Sequence, residues 1–152
     1  MKKQGYGETE QQLVKAIFDV FEKMYYLYLE PLEGEESAPS WQASIGFTGV
    51  LNGRFDAWFS GEIATAMVEN SLVLEGDDVT DALREDCLKE CVNMICGSFL
   101  RLVDSDRIAN LTLPSCGRAD AAPVPAEGGE AGEIHLRFDA DGMQVVFRAT
   151  IS

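Results

Sequence analysis

Positive charge is scarce in this chain. Its 152 residues carry 12 Lys and Arg against 26 Asp and Glu, a net charge of −14. The longest basic run is Lys2-Lys3. With no cationic patch to displace counterions, nucleic acid and anionic membrane surfaces are excluded as expected partners. Histidine is reduced to His135 alone, and the four cysteines (Cys87, Cys91, Cys96 and Cys116) include no Cys-x-x-Cys pair. A zinc site drawn from that set would need an unusual arrangement. No apolar run approaches the ~18 residues of a membrane span. Met1-Lys2-Lys3 leads into Gln-Gly-Tyr-Gly-Glu rather than an apolar leader core. A cytoplasmic protein is therefore expected, with its cysteines reduced and packed as small apolar side chains.

What is present suits one domain spanning residues 1–152, able to remove about 70% of its unfolded surface from water without a metal or disulfide. Leu13, Ile17, Phe18, Phe21, Met24, Tyr25 and Tyr28 recur at helical spacing and predict a helix over 8–29. Thr9 with Gln12 reads as its capping box, Pro31 as its stop, and its three tyrosines as half-buried. Two strands follow, over 41–51 and 54–59, joined by the Asn52-Gly53 hairpin signal. Gly46 and Gly49 inside the first strand suggest a bulge or a close neighbour. Ser60 caps a second helix to about Leu72, with Ile63, Ala64, Met67 and Val68 as its apolar face. Asp78 or Thr80 opens a long third helix ending near Val103. A short strand cut by Pro114 comes next. An Ala, Pro, Glu and Gly-rich flexible loop occupies 118–132, and a hairpin turning at Asp141-Gly142 closes the chain. Helices and antiparallel strands are segregated in this order. The expected fold is α+β, with helices packed on one face of a mainly antiparallel sheet.

The third helix carries two opposed stripes. At about 100° per residue, Asp86, Glu90, Asn93 and Gly97 share a narrow sector, while Leu88, Cys91, Val92, Ile95, Phe99 and Leu102 spread over the other side. A polar stripe of this kind is either a solvated face or a binding face. Gly97 costs about 1 kcal/mol relative to Ala in a helix interior. That cost has two available reasons: tight packing against a neighbouring strand, or the approach of another molecule beside Asn93.

Asp86, three residues, Glu90, two residues, Asn93, and Pro114 after twenty more resemble the motif of the CheC/CheX/FliY chemotaxis phosphatases. Asn93 to Gly97 resembles the family's Asn-x-x-x-Gly, and Gly49-x-x-x-Gly53 leading to Ala64 and Met67 resembles its entry hairpin and following helix. The likeness covers residues 10–151. The interval to Pro114 is slightly shorter than the family's usual one. Glu62 is followed three positions later by Thr65, so a first motif copy is lacking and the chain is similar to the single-motif CheX type. The resemblance implies a CheC-like fold, a homodimer, and hydrolysis of the aspartyl phosphate on a CheY-like response regulator. It implies Glu90 and Asn93 as catalytic residues, Asn93 holding the attacking water and Glu90 pairing with the regulator's lysine. Asp86, Gly97 and Pro114 would contact the partner or shape the site. No cofactor of the chain's own is implied; the Mg²⁺ is expected on the regulator. Many response regulators are acidic too, so the charge of −14 offers no long-range attraction. A module that only binds the regulator or a flagellar switch component, and a plain scaffold, are the rival classes.

Overall fold

A computed structural model describes residues 2–123 and 132–152. In chain order the elements are α1 (Lys2–Tyr25), β1 (Glu30–Pro31), β2 (Trp41–Thr48), β3 (Gly53–Phe59), α2 (Gly61–Leu72), a 3-10 turn (Gly76–Asp78), α3 (Asp81–Val103), β4 (Asn110–Leu111), β5 (Ser115–Arg118), β6 (Glu133–Ala140) and β7 (Met143–Ile151). Among the described residues the strands form one sheet in the order β1-β6-β7-β3-β2-β4, with β5 also on β2. Every pairing is antiparallel. The helices lie on one face, as the α+β reading expected.

Strand alternation decides which residues meet them. Phe55, Ala57 and Phe59 of β3 pair across to Ala149, Phe147 and Val145 of β7, and all six are buried. Phe147 is the hub of this layer: it stacks on Phe55 at 5.7 Å and meets Phe21 of α1 edge-on at 6.2 Å. Aromatic pairs of this geometry add to the simple burial of their area. α1 and α2 then pack beside α3, so the three helices share one core with the sheet.

Local signals hold where the chain contacts only itself. Ser60 Oγ accepts from the Ile63 N–H at 3.1 Å, and Thr80 Oγ1 accepts from the Leu83 N–H at 3.2 Å. Each satisfies a helix-end donor as an N-cap should, and Thr80 rather than Asp78 opens α3. Asp141 and Gly142 both have positive φ, 51° and 85°, as a tight hairpin turn requires.

Other expectations are corrected. The first helix runs from Lys2 and ends at Tyr25, not near Leu29. Tyr26, at φ 55°, turns the chain, and Leu27 N–H donates back to the Phe21 carbonyl at 3.1 Å. The early stop lets Leu27 and Leu29 reach the core. Of its tyrosines, Tyr25 is buried, whereas Tyr26 and Tyr28 are largely exposed. Thr9 lies inside the helix, and Gln12 donates instead to the Leu102 carbonyl at 3.0 Å, capping the end of α3. The β2–β3 turn is not an Asn-Gly turn with positive φ. Phe47 already pairs with Gly53, and Asn52 Oδ1 accepts from the Gly49 N–H across the loop. Gly53 is required for a different reason: a Cβ there would run into the Thr150 carbonyl of β7. Of the loop expected over 118–132, residues 124–131 lie outside the described residues. Its described ends are hydrogen-bonded: Arg118 completes β5, Ala119 N–H donates to Ser40, and the Gly132 carbonyl accepts from Ile151.

The helix-free face of the sheet buries one carboxylate. Asp56 is fully buried and accepts from Ser44 at 2.5 Å, Arg54 at 2.8 Å and Arg148 at 3.0 Å. Burial alone would raise its pKa. The hydrogen bonds from Ser44, Arg54 and Arg148 and the charge of Arg54 outweigh that and hold it below the usual carboxylate range. A depressed folded pKa adds stability that is present above the unfolded value of about 3.9 and is lost as pH falls through the folded one. Asp56→Asn should therefore melt below wild type at pH 7, with the gap closing as the pH is lowered below about 4. Thermal melts of both proteins from pH 7 to pH 3 check this, and a gap that stays constant would sink it.

Candidate functional site

α3 is held at three points along its length. At its start, Asp81 joins Arg84 at 2.8 Å and Arg118 of β5 at 2.8 Å, and Arg118 lies 4.2 Å over the Trp41 ring. In the middle, Leu88, Cys91, Val92 and Ile95 are fully buried. Toward its end Phe99 meets Phe47 of β2 edge-on at 6.4 Å. The expected apolar stripe is thus buried against the sheet, with two changes. Cys96 and Leu100 join it, and Leu102, expected within it, is 36% exposed.

With that face clamped, Asp86 and Glu90 are exposed and Asn93 and Gly97 half-buried. A cleft of about 650 Å³ is lined by Asp86, Lys89, Glu90, Asn93, Leu111, Thr112, Leu113 and Pro114. Four of the five residues selected from the sequence therefore share one opening. The fifth, Gly97, lies in an adjoining groove of about 490 Å³ that shares Asn93 and Leu111 with the cleft.

The far wall exists because the edge of β2 is paired in two pieces. β4 takes Phe47 and Thr48, β5 takes Trp41 to Ser44, and Pro114, which has no N–H to give a ladder, falls between them. Thr112 anchors the gap. Its N–H donates to the Gly46 carbonyl at 2.9 Å and its Oγ1 accepts from the Gly46 N–H at 2.9 Å. Gly46 permits this approach, since a Cβ there would lie 3.1 Å from Thr112 Cγ2. The expected close neighbour of Gly46 is this threonine. Leu113, projecting beside it, is 93% exposed.

The cleft is polar, open and little constrained. Among the described residues the Asn93 side chain forms no hydrogen bond, so its amide keeps both its donor and its acceptor for something else. Lys89 Nζ lies 3.8 Å from Asp86 Oδ1. Asp86 is beyond the first turn of α3, where a carboxylate gains most from the helix dipole; Asp81 fills that role. Sequence reasoning missed Lys89, Leu111, Thr112 and Leu113. Helical spacing from Asp86 and Asn93 would have found Lys89. The other three depend on how residues 110–114 pair with β2, for which the sequence offers Pro114 as the one signal.

The histidine and the cysteines do not line the cleft. His135 is on β6, four strands from β4, and bonds Glu133 at 2.6 Å. Cys91 and Cys96 are buried, Cys87 and Cys116 half-buried. Burial pushes the Cys87 and Cys116 thiols up to about 11 and Cys96 to about 12. Among the described residues no group of three or more His, Cys, Asp or Glu could hold a metal ion, and no helix is long and apolar enough to cross a membrane.

An antiparallel sheet with helices on one face presents a carboxylate and an amide from an exposed helix stripe into a cleft whose lining contains neither His nor Cys. The model of the chemotaxis phosphatase CheX family matches residues 41–139, and the chain belongs to that family. No curated protein matches it in sequence. Among solved structures it is similar to chemotaxis protein CheX from Vibrio vulnificus (18% identity, 95% of this chain and 97% of that one covered, TM-score 0.77). It is similar also to CheX from Desulfovibrio desulfuricans (21% identity, 95% and 99% covered, TM-score 0.73). A third is the CheX of a CheX–CheY–BeF3–Mg²⁺ complex from Borrelia burgdorferi (17% identity, 93% and 96% covered, TM-score 0.69). These structures share the fold.

The thiolate is the reactive form of cysteine, so raised pKa values slow its chemistry. Cys87 and Cys116 should react with a disulfide reagent at pH 7 at least 10²-fold (order of magnitude) more slowly in the folded protein than in urea. Stopped-flow thiol titration measures this; equal rates would place a thiolate at the surface.

Proposed function

We propose that the protein hydrolyses the aspartyl phosphate of a CheY-like response regulator. The observation that carries the reading is the cleft in which Asp86, Glu90, Asn93 and Pro114 come together around an amide that forms no hydrogen bond among the described residues. Membership of the CheX family supports the reaction class. The Borrelia CheX, solved together with CheY, supports the kind of partner.

An aspartyl phosphate is already an activated acyl phosphate. What it lacks is a well-placed water. The Asn93 carboxamide accepts a hydrogen bond from that water and donates one to it, holding the oxygen in line with the bond to be broken. The water oxygen bonds to phosphorus, and the bond from phosphorus to the carboxylate oxygen breaks. Inorganic phosphate leaves, and the regulator's aspartate returns to its free carboxylate. Glu90, one turn away, pairs with the regulator's lysine and sets the depth at which Asn93 enters. Asp86 and its neighbour Lys89 touch the partner at the cleft's outer end, and Pro114 shapes the opposite wall. The Mg²⁺ comes with the regulator, and this chain contributes no cofactor.

A homodimer is part of the proposal, on the family resemblance. The hydrophobic final strand adds no argument for it, because β7 lies between β6 and β3 rather than at an edge. Light scattering at micromolar concentration should give twice the monomer mass.

Removing one preorganised group of this kind typically costs about 10²–10³ in rate. Asn93→Ala should accordingly lower kcat to near the regulator's own hydrolysis, with the melting temperature unchanged. Glu90→Ala should act partly on KM. Phosphate release at several concentrations of phosphorylated CheY reads both. A wild-type kcat in Asn93→Ala would rule out the amide as the group that orients water. Binding of the regulator without any turnover by the wild-type protein would favour the binding-only module.

A further inference from the structure

Gly97 lies in the interior of α3, where glycine is costly, and no neighbour among the described residues crowds it. A Cβ built on Gly97 would meet nothing within 4 Å. Tight packing against a strand, one of the two reasons open from the sequence, is therefore excluded. The space left free is the floor of the groove beside Asn93.

The walls of that groove differ from the rest of the surface. Its charged lining residues are Arg101 and Arg107, with no carboxylate among them, in a chain where acids outnumber bases by 26 to 12. Arg107 is 3.5 Å from Asp104, whose Oδ1 accepts from the Asp106 N–H; neither acid lines the groove. Arg101 forms no ion pair among the described residues, and both arginines are exposed. In the same lining Ile108 is 89% exposed and Met94 half-buried. An exposed aliphatic side chain with flanking arginines suits a partner surface that is apolar at its centre and acidic at its rim.

We infer that this groove is a second docking surface for the phosphorylated regulator, continuous with the cleft through Asn93 and Leu111. Gly97 is the gap that admits a segment of the regulator, and Arg101 and Arg107 are the anchors for its acidic side chains. This rests on the reading of the cleft as a phosphatase site. The groove answers the question that the net charge raises. In a chain of net charge −14, the groove supplies local positive charge beside the reacting atoms, where long-range attraction for an acidic partner is absent.

The rival account gives each feature an internal role. Arg101 lies in the last turn of α3, where a cation suits the helix dipole. On that account Arg101→Glu lowers the melting temperature and leaves KM alone. Three variants separate the two accounts. Gly97→Ala should raise the melting temperature by about 2–4 °C, since the helix gains a better former and nothing is displaced. Gly97→Leu, whose side chain projects into the groove, should raise KM for phosphorylated CheY with kcat retained. Arg101→Glu with Arg107→Glu should raise KM about tenfold and flatten its dependence on salt.

The same substitutions placed on Asn93→Ala, with binding of CheY phosphorylated or held in the BeF3 form followed by fluorescence anisotropy, test the groove without turnover. Weaker binding in that background supports the groove even if Asn93→Ala keeps its kcat and the catalytic reading fails. Unchanged KM and unchanged binding in Gly97→Leu and in the double arginine variant overturn the groove, whatever the outcome for Asn93.

Discussion

The site depends on the burial of one side of α3. Leu88, Cys91, Val92, Ile95 and Phe99 fill the layer between the helix and the sheet, and their removal from water fixes the helix's rotation about its own axis. A helix free to roll by one residue, about 100°, would carry Glu90 and Asn93 into the core and bring apolar side chains to the surface. The Arg118–Asp81 pair at one end and the Phe47–Phe99 contact toward the other resist such a roll. The orientation of two polar side chains is thus a consequence of apolar packing on the opposite side of the same helix.

Rigidity of the opposite wall comes from a different source. Residues 110–114 bury little, and Leu113 is nearly bare. They are held by backbone pairing at β4 and β5 and by the two hydrogen bonds joining Thr112 and Gly46. Hydrogen bonds of this kind contribute about 1 kcal/mol each, far less than a buried aromatic pair surrounded by its core, yet they are directional. The cleft thus combines a wall set by packing with a wall set by hydrogen bonding.

Much of the fold was legible because it is written in short-range signals. Ser60 and Thr80 cap their helices, Asp141-Gly142 turns its hairpin, and the apolar face of α2 consists of the four residues its spacing indicated. The misreadings share a cause. Tyr26 stopped α1 before Pro31 could, because Leu27 and Leu29 are needed in a core built from distant segments. Gln12, read as part of a local capping box, serves a carbonyl 90 residues away. Gly53, read as a turn residue, is demanded by the closeness of Thr150 on a strand nearly 100 positions later. In each case a partner far along the chain outweighed a valid local preference.

For the site the division is similar. The sequence alone determined that Asp86, Glu90, Asn93 and Gly97 fall on one side of a helix, since 3.6 residues per turn leaves no other outcome once the helix forms. It also determined that this side is polar and that its opposite is apolar. It could not determine whether the polar side faces water, a neighbouring strand or a cleft. Tertiary structure decided that, by breaking the pairing on β2 at Pro114 and setting Leu111, Thr112 and Leu113 across from Asn93. It also removed tight packing against a strand as the reason for Gly97. Periodicity places a residue on a face, but only the positions of distant strands show whether the space in front of it is filled, and in front of Gly97 it is empty.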